Sequence, residues 1–560
     1  MFNTTKWLNV TSIPLIAFFF VFLCLPVGFI GFQSLQTDAG FSISGYVEAL
    51  QNTALMTALW NSTKVSTLVA LSTTILAFIL SYTVAMTRIQ GSMKQFIQYS
   101  VIFPMFLPTI TYGFVLIYAF GNQGIFSKLF GGEPLFTIYG FNGLLLGGIL
   151  YTLPPAFIIM QNGFQYVDRK YLLVADLMGD RPMRKAYHTI LRPMSGSIAG
   201  AFVLSFILSF TDFGIPASIG GSYEVIATTL YQTMLGAIPN FQQGAIVSVF
   251  MLLPAVFGVL LLQAVDKLNF HQTNPSGTEL APHRMRDTTF GMMALSISII
   301  ILAIFIVMFI VPFSKAYPFD LTFTLDFVRQ FLSMSELIQV YGNSVFVALC
   351  TAAIGVIFTF VTALVRARTD LKGRKSFDFF AMMTNTVPGM VLGLGYLLLF
   401  NDSTLKGTFL IIILCNFVHF YTTPYLMAKN ALQRMDANWE VIASLLQDSW
   451  LKTVFRIILP NMKSTIIEMF SYFFIQAMVT VSGVIFLVST ETLIVSAKIK
   501  ELQHFNQFNE IFLLSIFIFL TNIIVKIACE WYLKKKRRCN DEKDEMVFSR
   551  MYARSIHGGM

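Results

Sequence analysis

Residues 168–193 read DRKYLLVADLMGDRPMRKAYHTILRP, and residues 436–460 read DANWEVIASLLQDSWLKTVFRIILP. A shift of 268 places Asp168 on Asp436, Tyr171 on Trp439, Ala175 on Ala443 and Leu191 on Leu459. Just upstream, Asn162 and Gln165 fall on Asn430 and Gln433 at the same shift. Each copy is a basic, amphipathic island between long apolar runs. Two such islands predict a doubled membrane protein with two matching docking surfaces on one side.

Composition agrees with a membrane protein. Of 560 residues, 55% are hydrophobic, 12% are charged and 57 are Phe, whereas soluble domains carry about 25% charged residues. Five cysteines, at 24, 350, 415, 529 and 539, show no C-x-x-C spacing. They read as small core residues, not as a disulfide framework or zinc site.

A spanning helix needs roughly 20 mostly apolar residues. Runs of that kind are expected near 13–32, 63–87, 97–120, 143–162, 198–218 and 244–265. Six more are expected near 290–313, 343–366, 379–400, 408–428, 467–488 and 509–533, making about twelve. With the N-terminus inside, all but seven of the 38 Lys and Arg fall on inside segments. The seven are Lys64, Lys128, Lys315, Arg329, Lys406, Lys498 and Lys500. This asymmetry predicts cytoplasmic islands and cytoplasmic N- and C-termini. It also explains the formal charge of +9 through topology, with no nucleic-acid partner and the lipid bilayer as the surrounding phase.

The duplication extends beyond the islands. Asn61-Ser62 matches Asn343-Ser344; Pro108, Gly113 and Phe120 match Pro388, Gly393 and Phe400; Thr211 and Gly214 match Thr480 and Gly483. Six spans separate equivalent points, so both halves face the same way, as a parallel repeat about an axis along the membrane normal. The expected division is a first half over 1–265 (core 50–265), a cytoplasmic linker over 266–289, a second half over 290–533 (core 335–533) and a basic tail over 534–560. A solute path is expected between the halves.

Within 436–459, Trp439, Ile442, Ala443, Leu446, Trp450, Val454 and Ile457 recur at helical spacing and predict one apolar face. In the first copy Gly179 and Pro182 predict two short helices meeting at a turn. A single island of this sort also fits an amphipathic helix lying on lipid. The duplication, with small Ala175 and Ala443 kept, favours docking to a paired protein.

The islands resemble the EAA loop of type I ATP-binding-cassette importer permeases: a small-residue pair, a Gly four residues after it, and a hydrophobic-Leu-Pro ending. Gly179 and Leu459-Pro460 keep that pattern; Gln447 replaces the second Gly, and Glu440 stands one place early. The resemblance implies an all-α polytopic membrane protein of about twelve helices in two parallel six-helix repeats, with cytoplasmic coupling helices. It implies a permease subunit in a bacterial inner membrane, served by an extracytoplasmic solute-binding protein and two copies of a separate ATPase. Ala175, Gly179, Arg184, Glu440, Ala443, Gln447 and Lys452 would then face those ATPases. No G-x-x-x-x-G-K-[ST] loop occurs in this chain, so ATP would be bound by the partner, and this chain would carry no cofactor or metal.

Asp212 is the clearest ionisable residue inside an apolar run. It reads as a residue lining the solute path or as the cap of a helix broken before Pro216, ahead of a proton site. Thr211, Gln476, Thr480 and Ser482 are polar neighbours for such a path. His419 is expected to bond a backbone carbonyl. Fused two-half permeases of this size resemble the iron(III), thiamine and 2-aminoethylphosphonate importers, and residues 477–487 look most like the aminoethylphosphonate branch. The alternative is a proton-coupled secondary transporter using Asp212.

Overall fold

The computed structural model describes residues 4–557 apart from positions 38–39, 130, 132, 135, 166, 267–282, 370–372 and 437; side chains are not described from 536 onward. Most of the expected linker therefore lies outside the described residues, as do the side chains of the expected basic tail from Lys536 onward.

The fold is almost wholly helical, with two small antiparallel hairpins, Gln36–Thr37 with Gly40–Phe41 and Ser314–Ala316 with Asp320–Phe323. Among the described residues, seven helices are long and apolar enough to cross a membrane, or eleven if each of four bent pairs counts as one span. The remaining expected span, at residues 467–488, falls on the counterpart of Ser195–Thr211, which is itself counted within a bent pair. There the helix Lys463–Val479 has 17 residues and stops where the backbone turns extended at Thr480.

The two halves repeat one another in detail. Thr53–Met86 and Ser335–Arg368 are both 34-residue helices. Each is followed by a basic residue that donates to the carbonyl just past the helix end: Lys94 Nζ to Thr87 at 2.7 Å, and Arg374 Nη1 to Thr369. Next comes a sharp corner. Gly91–Phe106 meets Thr109–Leu129 at 111°, and Ser376–Thr386 meets Gly389–Leu399 at 103°. Proline makes both corners. Leu107 and Val387 are extended, as residues before proline prefer, and Pro108 and Pro388 cap the next helix with near-identical angles. Beyond the corner the chains come too close for a β-carbon: one added at Gly113 would collide with Ser218, and one at Gly393 with the Gly483 carbonyl.

At their starts, the two long helices hold the segments that follow the broken spans. Asn61 donates to the Glu224 carbonyl and Asn343 to the Leu493 carbonyl, both at 3.0 Å. Ser62 accepts from the Ile226 amide at 2.8 Å and Ser344 from the Val495 amide at 2.7 Å. Because the opposite ends of these helices adjoin the islands, these contacts mark the far side of the bundle.

Each half lends its leading helix to the other. The N-terminal span Ser12–Leu35 packs against the second half: Phe18 lies 4.5 Å from Phe358, Phe19 lies 4.6 Å from Tyr421 (ring centroids), and Tyr396 donates to the Phe22 carbonyl. Conversely Arg284–Ile310 packs on the first half, with the Phe290 ring tilted against Tyr82 at 4.5 Å between centroids and its carbonyl accepting from Thr83. The last helix, beginning at Phe508, also crosses, through Ser515 to Thr111 and Asn522 to the Phe106 carbonyl.

Candidate functional site

The islands fold alike from their first residue. Asp168 accepts from the Lys170 amide and Asp436 from the Asn438 amide, both at 2.9 Å, turning the chain into the short helices Lys170–Leu177 and Asn438–Leu445. Each helix closes with the long-range C-terminal bond of a Schellman turn, Asp180 N–H to the Ala175 carbonyl and Asp448 N–H to the Ala443 carbonyl, both 3.0 Å. That turn needs a left-handed residue. Gly179 supplies it at φ 69°, and Gln447 supplies it at φ 58°. The expected continuous apolar face over 436–459 is thus corrected: the second island breaks where the first does. A second short helix follows in each, Pro182–Ala186 and Trp450–Thr453, running into one wide turn, Tyr187–Leu191 and Val454–Ile458.

Side-chain placement revises the expected docking residues. Ala175 and Ala443 are only 5% and 3% exposed, so they pack inward and cannot form the outer surface. Arg184 pairs with Asp180 within its own island, Nε to Oδ1 at 3.5 Å, and Lys452 pairs with Asp448 at the equivalent place. Glu440 also turns inward. Its Oε1 lies 3.0 Å from Arg368 Nε, without an aligned hydrogen bond, while Arg368 Nη2 donates to the carbonyls of Leu432 and Met435. Burial pushes the Glu440 carboxyl above its ordinary value, and Arg368 pulls it back down.

What the islands expose is apolar, and it is exposed in matching pairs. Leu177 and Leu445 are 80% and 77% open, and Leu173 with Val441, Val174 with Ile442, Met178 with Leu446 and Met183 with Leu451 follow suit. Of these, sequence periodicity placed only Ile442 and Leu446 on the expected apolar face of the second island.

The second region lies where the spans break between the halves. Ser195–Thr211 and Lys463–Val479 each have 17 residues, and their caps Asp212 and Thr480 share φ −70° and ψ 137°. Asp212 therefore corresponds to Thr480, which the sequence match sets against Thr211, and the register slips by one residue only afterwards. Asp212 is 9% exposed; its Oδ2 accepts from the Ile215 amide at 2.9 Å, capping the short helix Gly214–Ile219. It also lines a small cavity with Ser62, Ser66, Tyr151 and Ser209. Thr211 Oγ1 bonds back to the Ile207 carbonyl at 2.8 Å. Thr480 is buried, while Gln476 and Ser482 are half-buried. Ser482 sits against Gly389 at the second corner, as does His419. His419 Nδ1 has no hydrogen-bond partner, so the expected carbonyl bond is not made there. Tyr151, which shares the Asp212 cavity, carried no motif that would have singled it out.

Comparison with known proteins agrees with this duplicated architecture. The sequence pattern of the family described as "Binding-protein-dependent transport system inner membrane component" matches residues 74–270 and 355–538, together well over half the chain. The ferric transport system permease protein FbpB of Actinobacillus pleuropneumoniae is 24% identical over 89% of this chain and 74% of its own length. A putative ferric transport system permease protein FbpB of Haemophilus influenzae is 25% identical over 86% of this chain and 77% of its own. The thiamine transport system permease protein ThiP of Escherichia coli is 24% identical over 53% of this chain and 56% of its own. Two matched blocks, two islands and one repeated corner have a single reading: the chain belongs to the binding-protein-dependent inner membrane component family, as a fused two-half permease of the type I ATP-binding-cassette importer kind.

Proposed function

We propose that this permease forms the transmembrane path for iron(III), delivered by an extracytoplasmic binding protein and driven by two copies of an ATPase docked on the islands at the cytoplasmic face. The observation that carries the solute is the similarity to two ferric permeases along nearly the whole chain, both halves included. The similarity to the thiamine permease covers about half of it. The short likeness of residues 477–487 to aminoethylphosphonate importers gains no support from the relatives, and neither does proton coupling through Asp212.

On this reading the paired apolar surfaces around Leu177 and Leu445 seat the ATPases, and closure of those subunits on ATP rocks the two halves. The path runs between the broken spans, past Thr211 and Asp212 on one side and Gln476, Thr480 and Ser482 on the other. Proteoliposomes carrying the permease, its ATPase and its binding protein test the solute. ATP-dependent uptake of radiolabelled iron(III), with neither thiamine nor 2-aminoethylphosphonate accumulated, is the expected result. Uptake of either organic solute in place of iron, or iron uptake driven by a proton gradient without ATP, overturns it.

A further inference from the structure

The two halves also meet on the far side from the islands, and one contact there is a charged side chain of one half on the backbone of the other. Lys500, on the second-half helix Val495–His504, donates from Nζ to the Ala217 carbonyl at 2.9 Å, and to Gln503 Oε1 one turn on at 2.9 Å. Ala217 lies in the last turn of Gly214–Ile219, the short first-half helix that continues the broken span. Helix ends leave carbonyls without partners, and the aligned peptide dipoles favour a cation there. The opposite end of the same helix is capped by the Asp212 carboxylate. This six-residue helix is therefore held at its N-terminal end from within the first half and at its C-terminal end from the second.

The pseudo-symmetric position offers no such bond. The residue matching Lys500 is Tyr231, whose ring packs on Phe213 of its own half at 4.8 Å. The neighbouring Lys498 is engaged elsewhere, pairing with Glu336 at 2.5 Å and Glu501 at 2.7 Å inside the second half. Among the described residues, Lys500 to Ala217 is the lysine bond that joins the two broken-span regions.

We propose that Lys500 is a positioning residue for the transport cycle: a latch that keeps the far side closed, and whose release from the Ala217 carbonyl accompanies opening of the path there. A passage opening between Gly214–Ile219 and Val495–His504 on that side breaks this bond. A hydrogen bond with a charged donor in a partly buried setting biases such a two-state equilibrium by roughly tenfold or more. The inference rests on the chain being a two-half permease and is independent of the solute.

Spin labels at Tyr139→Cys and Phe505→Cys, exposed far-side positions in opposite halves, placed in a chain whose native cysteines are replaced by serine, report the separation in lipid nanodiscs without nucleotide. Lys500→Met is expected to shift the population toward the longer separation by about tenfold. Lys500→Arg, which keeps the charged donor, is expected to restore the wild-type distribution. In complexes with the ATPase, Lys500→Met is further expected to raise ATP hydrolysis in the absence of binding protein, with the arginine variant at the wild-type level. A distance distribution unchanged in Lys500→Met, or displaced equally in Lys500→Arg, overturns the latch. The distance measurement needs no ATPase, so failure of ATPase docking is seen separately.

Discussion

The two islands share a backbone and differ in what ties them to the membrane core. In the first, Arg169 belongs to the island and donates to the Ala85 carbonyl at the end of Thr53–Met86, 3.2 Å away. In the second, the arginine belongs to the core: Arg368, at the end of Ser335–Arg368, reaches out to Glu440 and to the Leu432 and Met435 carbonyls. A further cluster reinforces the second half, with Asp378 bound by Arg366 at 2.5 Å, Lys429 at 2.6 Å and Tyr425 at 2.8 Å. The same geometry is thus held by opposite arrangements of charge. What duplication preserves is the turn and the exposed apolar surface; the fastening beneath it was free to change.

The largest expected effect tests what the islands share. Leu177→Asp with Leu445→Asp places a carboxylate on each exposed surface, where neither side chain supports the fold. Co-purification of the ATPase is expected to fall to background in the double variant, with each single variant retaining part of it. Full retention by the double variant would move docking away from these faces.

Arg368→Met tests where they differ. It strands a mostly buried carboxylate and two carbonyls, and is expected to cost about 3 kcal/mol, read as lost amide protection across 432–448 in hydrogen exchange. Arg169→Met at the first island, which leaves the Ala85 carbonyl without its arginine but strands no Glu440 counterpart, is expected to cost less than Arg368→Met. Equal losses would erase the asymmetry.

Smaller effects follow from the turn residues. Gln447→Gly removes the left-handed strain on a side chain and is expected to stabilise the second island by about 1 kcal/mol, whereas Gly179→Ala destabilises the first by a similar amount. A β-carbon at Gly179 meets nothing within 4 Å, so that cost is conformational alone. Amide exchange at residues 178–181 and 446–449 measures both.

Glu440→Gln is expected to have the least effect at neutral pH, under about 1 kcal/mol, because the ion pair only partly offsets the burial of the carboxylate. Since the folded carboxyl sits above its ordinary value, the folded state holds its proton longer than the unfolded chain. That contribution to stability is present below the ordinary carboxylate range and is lost as pH rises through the raised value. Comparing thermal unfolding of wild type and Glu440→Gln across that window isolates it; a wild-type dependence of opposite sign would contradict the assignment.

Much of this was legible in the order of residues. Apolar run length announced the membrane helices because hydrocarbon leaves a backbone no partner but itself. Pro108 with Pro388, and Asp168 with Asp436, announced the repeat because each dictates its own local geometry, a corner or a turn, wherever it stands. The end of the span near 467–488 did not follow, since hydropathy continues past Val479 while the helix does not. Nor did the outward surface of the islands: a periodic stripe over 436–459 reads as one helix until Gln447 adopts a left-handed backbone that its side chain alone does not announce.

The sequence by itself determined the class, the duplication, the islands and the absence of an ATP-binding loop, all of which rest on interactions among near neighbours or on bulk composition. Tertiary structure alone decided that Ala175 and Ala443 face inward, that Arg368 finds Glu440, that the leading helices exchange halves and that Lys500 reaches Ala217. Those pairings join residues from tens to hundreds of positions apart, and a partner at that distance is chosen by how whole helices pack, which no local pattern of residues encodes.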